Sequence, residues 1–318
     1  MKVLITGGAG FIGGAVTRQL RARGDEVVAL VRDRNRTSGI EKIGAEVVED
    51  DLSDVARLTA ALEGIDAVIH AAGSYRIGIT KGERGAMWDA NVGTTTRILD
   101  AADAATTPRI VYVSTVNAFG NTHGRIVDET YQRDLGDGFL SWYDETKFGA
   151  HEVAEQRIAA GAPVLIAMPG TVIGPGDHSQ AGAQLKGAWS GTLPYIGATD
   201  VGIAPVHVDD VAAGIVAALD RGRIGRSYVL AGDCIRLIDA LEIAAAVGGK
   251  KLPGLRIPNV VLRAMAPFGR LIGEPNAREI ARSSAGVTYW ASSQRAKDEL
   301  GYAPRDSETA IRDTFAAA

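Results

Sequence analysis

The chain has 318 residues, 46% hydrophobic and 23% charged, with a net charge of −4 and a single cysteine. That length can bury a large core as one large or two modest domains. Its interspersed charges show no basic stripe of the kind nucleic acid or an anionic membrane requires. One cysteine, Cys234, excludes an intrachain disulfide and a multi-cysteine metal site, and is expected as buried packing.

The sequence opens "MKVLITGG", entering a strand at once, which leaves no room for a signal peptide. No uncharged apolar run approaches the roughly 20 residues of a membrane span, so the cytoplasm is the expected location. In chain order, Val3–Thr6, Val27–Val31, Ala45–Val48, Ala67–Ala72, Ile110–Ser114 and Val164–Met168 are apolar and β-branched, as strands buried on both faces should be. Helical periods fill the gaps at Gly10–Arg23, Asp54–Glu63, Glu83–Ala105 and Ser141–Ala160. Strict alternation predicts an α/β fold, a Rossmann-type doubly wound parallel sheet with helices on both faces. After Met168, "PGTVIGPGD" and "WSGTLPYIG" are turn-rich, and "APVHVDDVAAGIVAAL" returns to a strand and a helix. "PGLRIPNVVLRAMAPFGRLIGEPNA" then holds several Pro and Gly residues and one short amphipathic segment. The expected organisation is a dinucleotide-binding domain over 1–170, rejoined by roughly 201–222. A smaller, irregular substrate-binding domain takes most of 171–318.

"TGGAGFIGG" joins the first strand to the first helix and carries Gly7, Gly10 and Gly13. Glycines there let backbone approach a pyrophosphate, and the helix N-terminus supplies free N–H donors. An acid at the tip of the second strand would hold the NAD ribose, and an arginine would favour the 2′-phosphate of NADP. Here "ALVRDRNR" places Val31 at the acid position with Arg32 next, favouring NADP, while Asp33 keeps NAD open. In "SWYDETKFG", Tyr143 and Lys147 lie one helical turn apart, and Ser141 with Asp144 fits a capping box.

The glycine loop, Asp51-Leu52, His70-Ala71-Ala72, Asn91-Val92, "YVSTVNAFG", Tyr143-x-x-x-Lys147, "PGTVIGPGD" and "VHVDDVA" are co-linear over nearly the whole chain. Together they resemble the extended short-chain dehydrogenase/reductases, the epimerase/dehydratase group. "RGRIGRSYVLAGD" and "AKDELGYAPR" are closest to dihydroflavonol-reductase-like and hopanoid-associated sugar-epimerase-like members. The resemblance implies Tyr143 as general acid/base, Lys147 as the positive charge that also holds the nicotinamide ribose, and Thr115, with Ser114 as the adjacent alternative, on the reacting oxygen. It further implies that Asn91 positions the lysine through water. Phe11 and Ile12 belong to the phosphate loop, Asp51 and Leu52 line the adenine pocket, and Ala71 and Ala72 lie against the cofactor ribose. It also suggests a homodimer through the helices at Glu83–Ala105 and Ser141–Ala160.

Sugar-nucleotide members commonly carry an arginine and an asparagine after the sixth strand, where this chain has Met168 and Thr171. Without such donors a buried diphosphate is poorly compensated. Tyr75, Trp88, Phe119, Trp142, Trp189 and Tyr195 stand on the substrate-side loops instead. The expectation is an NADP-dependent reductase of a largely apolar carbonyl compound. A sugar epimerase or dehydratase with tightly held NAD is the alternative, and a non-catalytic dinucleotide sensor a third. His207, Asp209 and Asp210 look like metal ligands, but an aspartate capping the following helix is the plainer reading, and no metal is expected. His123 and His178 are expected as surface histidines.

Overall fold

A computed structural model describes residues 1–265 and 277–316. Its centre is a seven-stranded parallel sheet. Six strands are β1 (Lys2–Thr6), β2 (Glu26–Val31), β3 (Glu46–Glu49), β4 (Ala67–His70), β5 (Ile110–Val113) and β6 (Val164–Pro169). The seventh, Ser227–Leu230, pairs with β6 and completes the spatial order Ser227–Leu230, β6, β5, β4, β1, β2, β3. The sequence expectation did not include that strand, because "SYVL" is short and set among arginines and glycines. The strand expected after Val201 does form at Pro205–His207. It pairs with Thr171–Ile173 in a small separate sheet, where Pro205 lacks the N–H that an interior strand must give.

Both faces of the sheet are covered, which is why its strands are apolar on both sides. Helices Phe11–Ala22 and Val208–Arg221 bury Ala15, Val16, Leu20, Val211, Ala212 and Ile215 on one face. Helices Val55–Ala61, Thr94–Ala104 and Trp142–Ala159 bury Leu58, Ile98, Leu99, Ala150 and Ala154 on the other. The segment expected as one helix over Glu83–Ala105 is interrupted by a π-helical turn at Asp89–Gly93, a widened turn that re-aims the side chains within it. A third apolar cluster joins helices Gln180–Ser190, Leu237–Val247 and Ser307–Phe315 around Leu185, Leu241 and Ile311. Helix Asn259–Met265 lies in the proline- and glycine-rich stretch and Ala277–Ser284 follows it; residues 266–276 lie outside the described ones. Among the described residues no helix is long and apolar enough to cross a membrane.

The strand order reverses between β1 and β4, so their carboxyl ends flank the crevice where such sheets take ligands. β5 is the next strand beside β4, and Thr115 lies just past its carboxyl end.

Candidate active site

The loop after β1 is shaped by close backbone approach. Gly7 has φ +71°, and a Cβ on it would fall 2.9 Å from Ala72 Cα. A Cβ on Gly13 would fall 2.2 Å from the Gly7 carbonyl oxygen, so only glycine lets the helix start this near the loop. Gly10 is the N-cap and offers no side-chain cap, which leaves the N–H groups of the turn holding Phe11, Ile12 and Gly13 open to an anion. Ala71 N–H donates to the Thr6 carbonyl at 3.2 Å, drawing the end of β4 against the same loop. These features fit the pyrophosphate and ribose of a dinucleotide.

At the tip of β2, Arg32 is exposed and makes no hydrogen bond or ion pair among the described residues. Asp33 turns back to accept from Asn35 N–H at 2.9 Å, so its carboxylate caps its own turn. After β3, Asp51 binds the Ser53 hydroxyl at 2.6 Å and the Arg57 guanidinium at 3.2 Å, which holds its carboxylate below the usual range, the serine first in weight. Leu52 is buried with φ +60°, a conformation costly for leucine, and its N–H donates to Asp50 Oδ1 at 2.7 Å. The leucine side chain is therefore held in the core cluster beneath helix Val55–Ala61.

Ser141 caps the catalytic-candidate helix as expected, its Oγ accepting from Asp144 N–H at 3.1 Å. The reciprocal arm of the box differs. Asp144 accepts from Leu140 N–H at 2.8 Å and from both terminal nitrogens of Arg133 at 2.6 Å, a pair buried between Phe139 and Phe148. Tyr143, in the first turn, is 8% exposed and packs with Ile79 and Met87, while Tyr75 meets its ring edge-on at 4.7 Å. Burial pushes the Tyr143 phenol well above its ordinary pKa, with Tyr75 adding to the rise and the nearby Thr115 hydroxyl offsetting part of it. The phenol is thus held protonated, the form that donates to an oxygen. Thr115 caps the turn Val116–Phe119, accepting from Asn117 N–H at 3.2 Å and donating to Asn117 Oδ1 at 3.1 Å.

Lys147 is buried, and burial brings its ammonium down to about 8. It donates to the Val113 carbonyl at 3.3 Å and to the Tyr112 hydroxyl at 3.4 Å; no direct hydrogen bond joins it to Tyr143 among the described residues. Asn91 sits in the π-helical turn, but its amide is engaged elsewhere. Its Oδ1 accepts from Ser74 N–H at 2.7 Å, and its Nδ2 donates to Ser74 O at 3.1 Å and Thr146 Oγ1 at 2.9 Å. It therefore ties the loop after β4 to the residue preceding Lys147.

Behind these groups runs a buried chain of one hydrogen-bond direction. Ala72 N–H donates to Thr6 Oγ1 and the Thr6 hydroxyl to His70 Nδ1 at 2.7 Å. His70 Nε2 donates to Thr95 Oγ1 at 3.0 Å, and the Thr95 hydroxyl to the Asn91 carbonyl at 2.7 Å. The two terminal partners fix the tautomer. Desolvation first, and the Lys147 charge second, push His70 down to about 3 and keep it neutral.

A model of the NAD dependent epimerase/dehydratase family matches residues 3–231. The chain belongs to that family. Its members are NAD(P)-dependent oxidoreductases of the extended short-chain type, and this chain carries their Tyr-x-x-x-Lys helix and glycine loop on the geometry above. A 2-alkyl-3-oxoalkanoate reductase of Stenotrophomonas maltophilia is 27% identical, covering 96% of each chain. The crystal structure of gox2253 superposes with a TM-score of 0.86 at 33% identity, covering 99% of this chain and 96% of that one. UDP-glucuronic acid 4-epimerase from Bacillus cereus, in complex with UDP-glucuronic acid and NAD, shares the fold at a TM-score of 0.80 and 20% identity, over 99% and 98% of the two chains.

On the substrate side of this epimerase/dehydratase-family site, Tyr75, Trp142, Ile77, Ile79 and Met87 surround Tyr143. Phe119 is instead a core residue under the sheet, and Trp189 stacks on Phe315 at 5.2 Å in the third cluster. His207, not an aspartate, caps the helix Val208–Arg221, its Nδ1 accepting from Asp209 N–H at 3.2 Å, while Asp210 pairs with Arg305 at 2.9 Å. His123 is exposed and pairs with Asp137 at 2.7 Å, and His178 lies beside Asp177. Cys234 is half-buried, its thiol pushed up by burial.

Proposed function

We propose that this chain is an NADP-dependent reductase of a carbonyl on a largely apolar small molecule, able to oxidise the matching alcohol. The observation that carries the reading is Tyr143, a buried phenol held protonated inside an apolar cluster with the Thr115 hydroxyl beside it. With the dinucleotide's pyrophosphate held at the glycine loop, its nicotinamide would supply the hydride. Tyr143 then gives its proton to the carbonyl oxygen that Thr115 holds, and Lys147 supplies the proton that restores the phenol. Met168, buried in the sheet core where sugar-nucleotide members commonly carry an arginine, supports an apolar substrate. So does the alkyl chain named in the Stenotrophomonas reductase. For the cofactor, the unpaired Arg32 and the self-capping Asp33 support a 2′-phosphate over a free ribose diol.

The test is NADPH against NADH binding, followed by a panel of apolar ketones and aldehydes at the nicotinamide absorbance. Tighter NADPH binding, with the preference lost in Arg32→Ala, is the expected result. A charge-assisted hydrogen bond of about 1.5–3 kcal/mol corresponds to a preference of tenfold or more. Stoichiometric NAD in the heat-denatured supernatant, with no net nicotinamide turnover, would replace this reading with the epimerase or dehydratase one. A homodimer in the cytoplasm is part of the proposal. Trp88, 41% exposed against Gly149 of the helix Trp142–Ala159, supports the contact, and sedimentation reads it.

A further inference from the structure

Ser74 lies in the loop after β4, and a single side chain takes both of its backbone groups. Asn91 Oδ1 accepts from Ser74 N–H at 2.7 Å, and Asn91 Nδ2 donates to Ser74 O at 3.1 Å. The first bond fixes which way the amide faces, because an N–H can only donate. Nδ2 also donates to Thr146 Oγ1 at 2.9 Å, and the Thr146 hydroxyl donates to the Tyr143 carbonyl at 3.0 Å. Asn91 is 2% exposed, so these bonds are shielded from water, where leaving one unmade is costly. A Cβ on Gly73 would fall 3.1 Å from Asn91 Oδ1, so glycine leaves the amide room to close on the loop. One continuous set of hydrogen bonds thus runs from the Ser74 backbone to the backbone of Tyr143.

The residue that this clamp presents is aromatic. Tyr75 follows Ser74 directly and meets the Tyr143 ring edge-on at 4.7 Å, yet it is 45% exposed. In "SYRIGIT" Tyr75, Ile77 and Ile79 alternate with Arg76 and Gly78. Ile77 and Ile79 join the cluster around Tyr143, while Arg76 pairs with Glu83 at 3.0 Å. An uncovered aromatic surface therefore stands next to the phenol that has to meet a carbonyl. We propose that Asn91 and Tyr75 together set which carbonyl compounds Tyr143 accepts. Asn91 is a positioning residue that fixes the loop through Ser74. The uncovered part of the Tyr75 ring is the wall on which the substrate's apolar group, an alkyl chain or an aryl ring, packs beside its carbonyl.

The proposal deepens the reductase reading and rests on it, so its first test needs no substrate. In hydrogen exchange on the full chain, the Ser74 amide should exchange several-fold faster in Asn91→Ala than in the wild type. Equal protection in the two overturns the clamp whatever the enzyme reduces. The second test follows NADPH consumption against methyl alkyl ketones of rising chain length. In the wild type kcat/KM should rise roughly fourfold for each methylene that packs on the wall. Tyr75→Ala should flatten that rise mainly through KM, with NADPH affinity kept, and Tyr75→Phe should preserve it because the ring and not the hydroxyl forms the wall. Asn91→Ala should flatten it in the same way, and the double variant should be no flatter than the flatter single, because both act through one loop. An unaltered chain-length dependence in Tyr75→Ala overturns the wall, and this variant, at a half-exposed position, decides the matter even where Asn91→Ala does not fold. A kcat loss in Asn91→Ala that is equal for every ketone and shifts the pH profile would place Asn91 on Lys147 and overturn its role in the clamp. If the wild type turns over no ketone but Asn91→Ala still frees the Ser74 amide, the reductase reading fails and the clamp stands.

Discussion

Lowering the pH should destabilise this fold through His70. The imidazole is fully buried with both ring nitrogens engaged by threonine hydroxyls, and its pKa is pushed down to about 3 from 6.5. The unfolded chain takes up a proton as the pH falls through the ordinary histidine value, while the folded chain takes none until the depressed one. Stability is therefore full above the unfolded pKa and is lost between the two values as acid is added. The loss is roughly 2 kcal/mol at about pH 5 relative to about pH 7, rising to ~4 kcal/mol near pH 3. Urea unfolding at these pH values reads it, with His70→Gln as the reference. The amide keeps a donor and an acceptor but does not titrate, so every other group cancels in the difference. The variant should be less stable near neutrality and should lose less on acidification. A wild type and variant that fall in parallel between pH 7 and pH 5 would refute the claim that His70 is held neutral.

Gly13→Ala places a Cβ 2.2 Å from the Gly7 carbonyl, so the helix must move off the loop; dinucleotide affinity should fall at least tenfold by fluorescence titration. Arg133→Leu leaves Asp144 buried and unpaired, which typically costs 3–5 kcal/mol. It should lower the thermal midpoint of unfolding by several degrees while Asp144→Asn/Arg133→Leu recovers part of the loss.

The fold was legible because buried parallel strands repeat one pattern, and "VLIT", "VVALV", "AVIH" and "VLIAM" all carry it. Ser227–Leu230 escaped because four residues between glycines carry no period. The π-helical turn escaped for a different reason: nothing in "DANVG" departs from helical spacing, and the widening becomes visible only in the backbone around Asn91. At the site, Tyr143, Lys147 and Thr115 were legible as a spacing and a strand end. What they touch was not, since Tyr75 arrives from another loop. The direction of the Tyr143 shift was also hidden. Burial among Ile79, Met87 and Tyr75 raises it, and none of those three is its neighbour in sequence.

The central claim is that Tyr143 moves the proton when a carbonyl is reduced at this glycine-loop site. Its most direct measurement is NADPH consumption against an apolar carbonyl panel by the wild type and by Tyr143→Phe, with NADPH affinity read in parallel. The account predicts turnover in the wild type and a 10²- to 10⁴-fold lower kcat, roughly, in the variant at unchanged affinity. Turnover that survives Tyr143→Phe at full rate would contradict it.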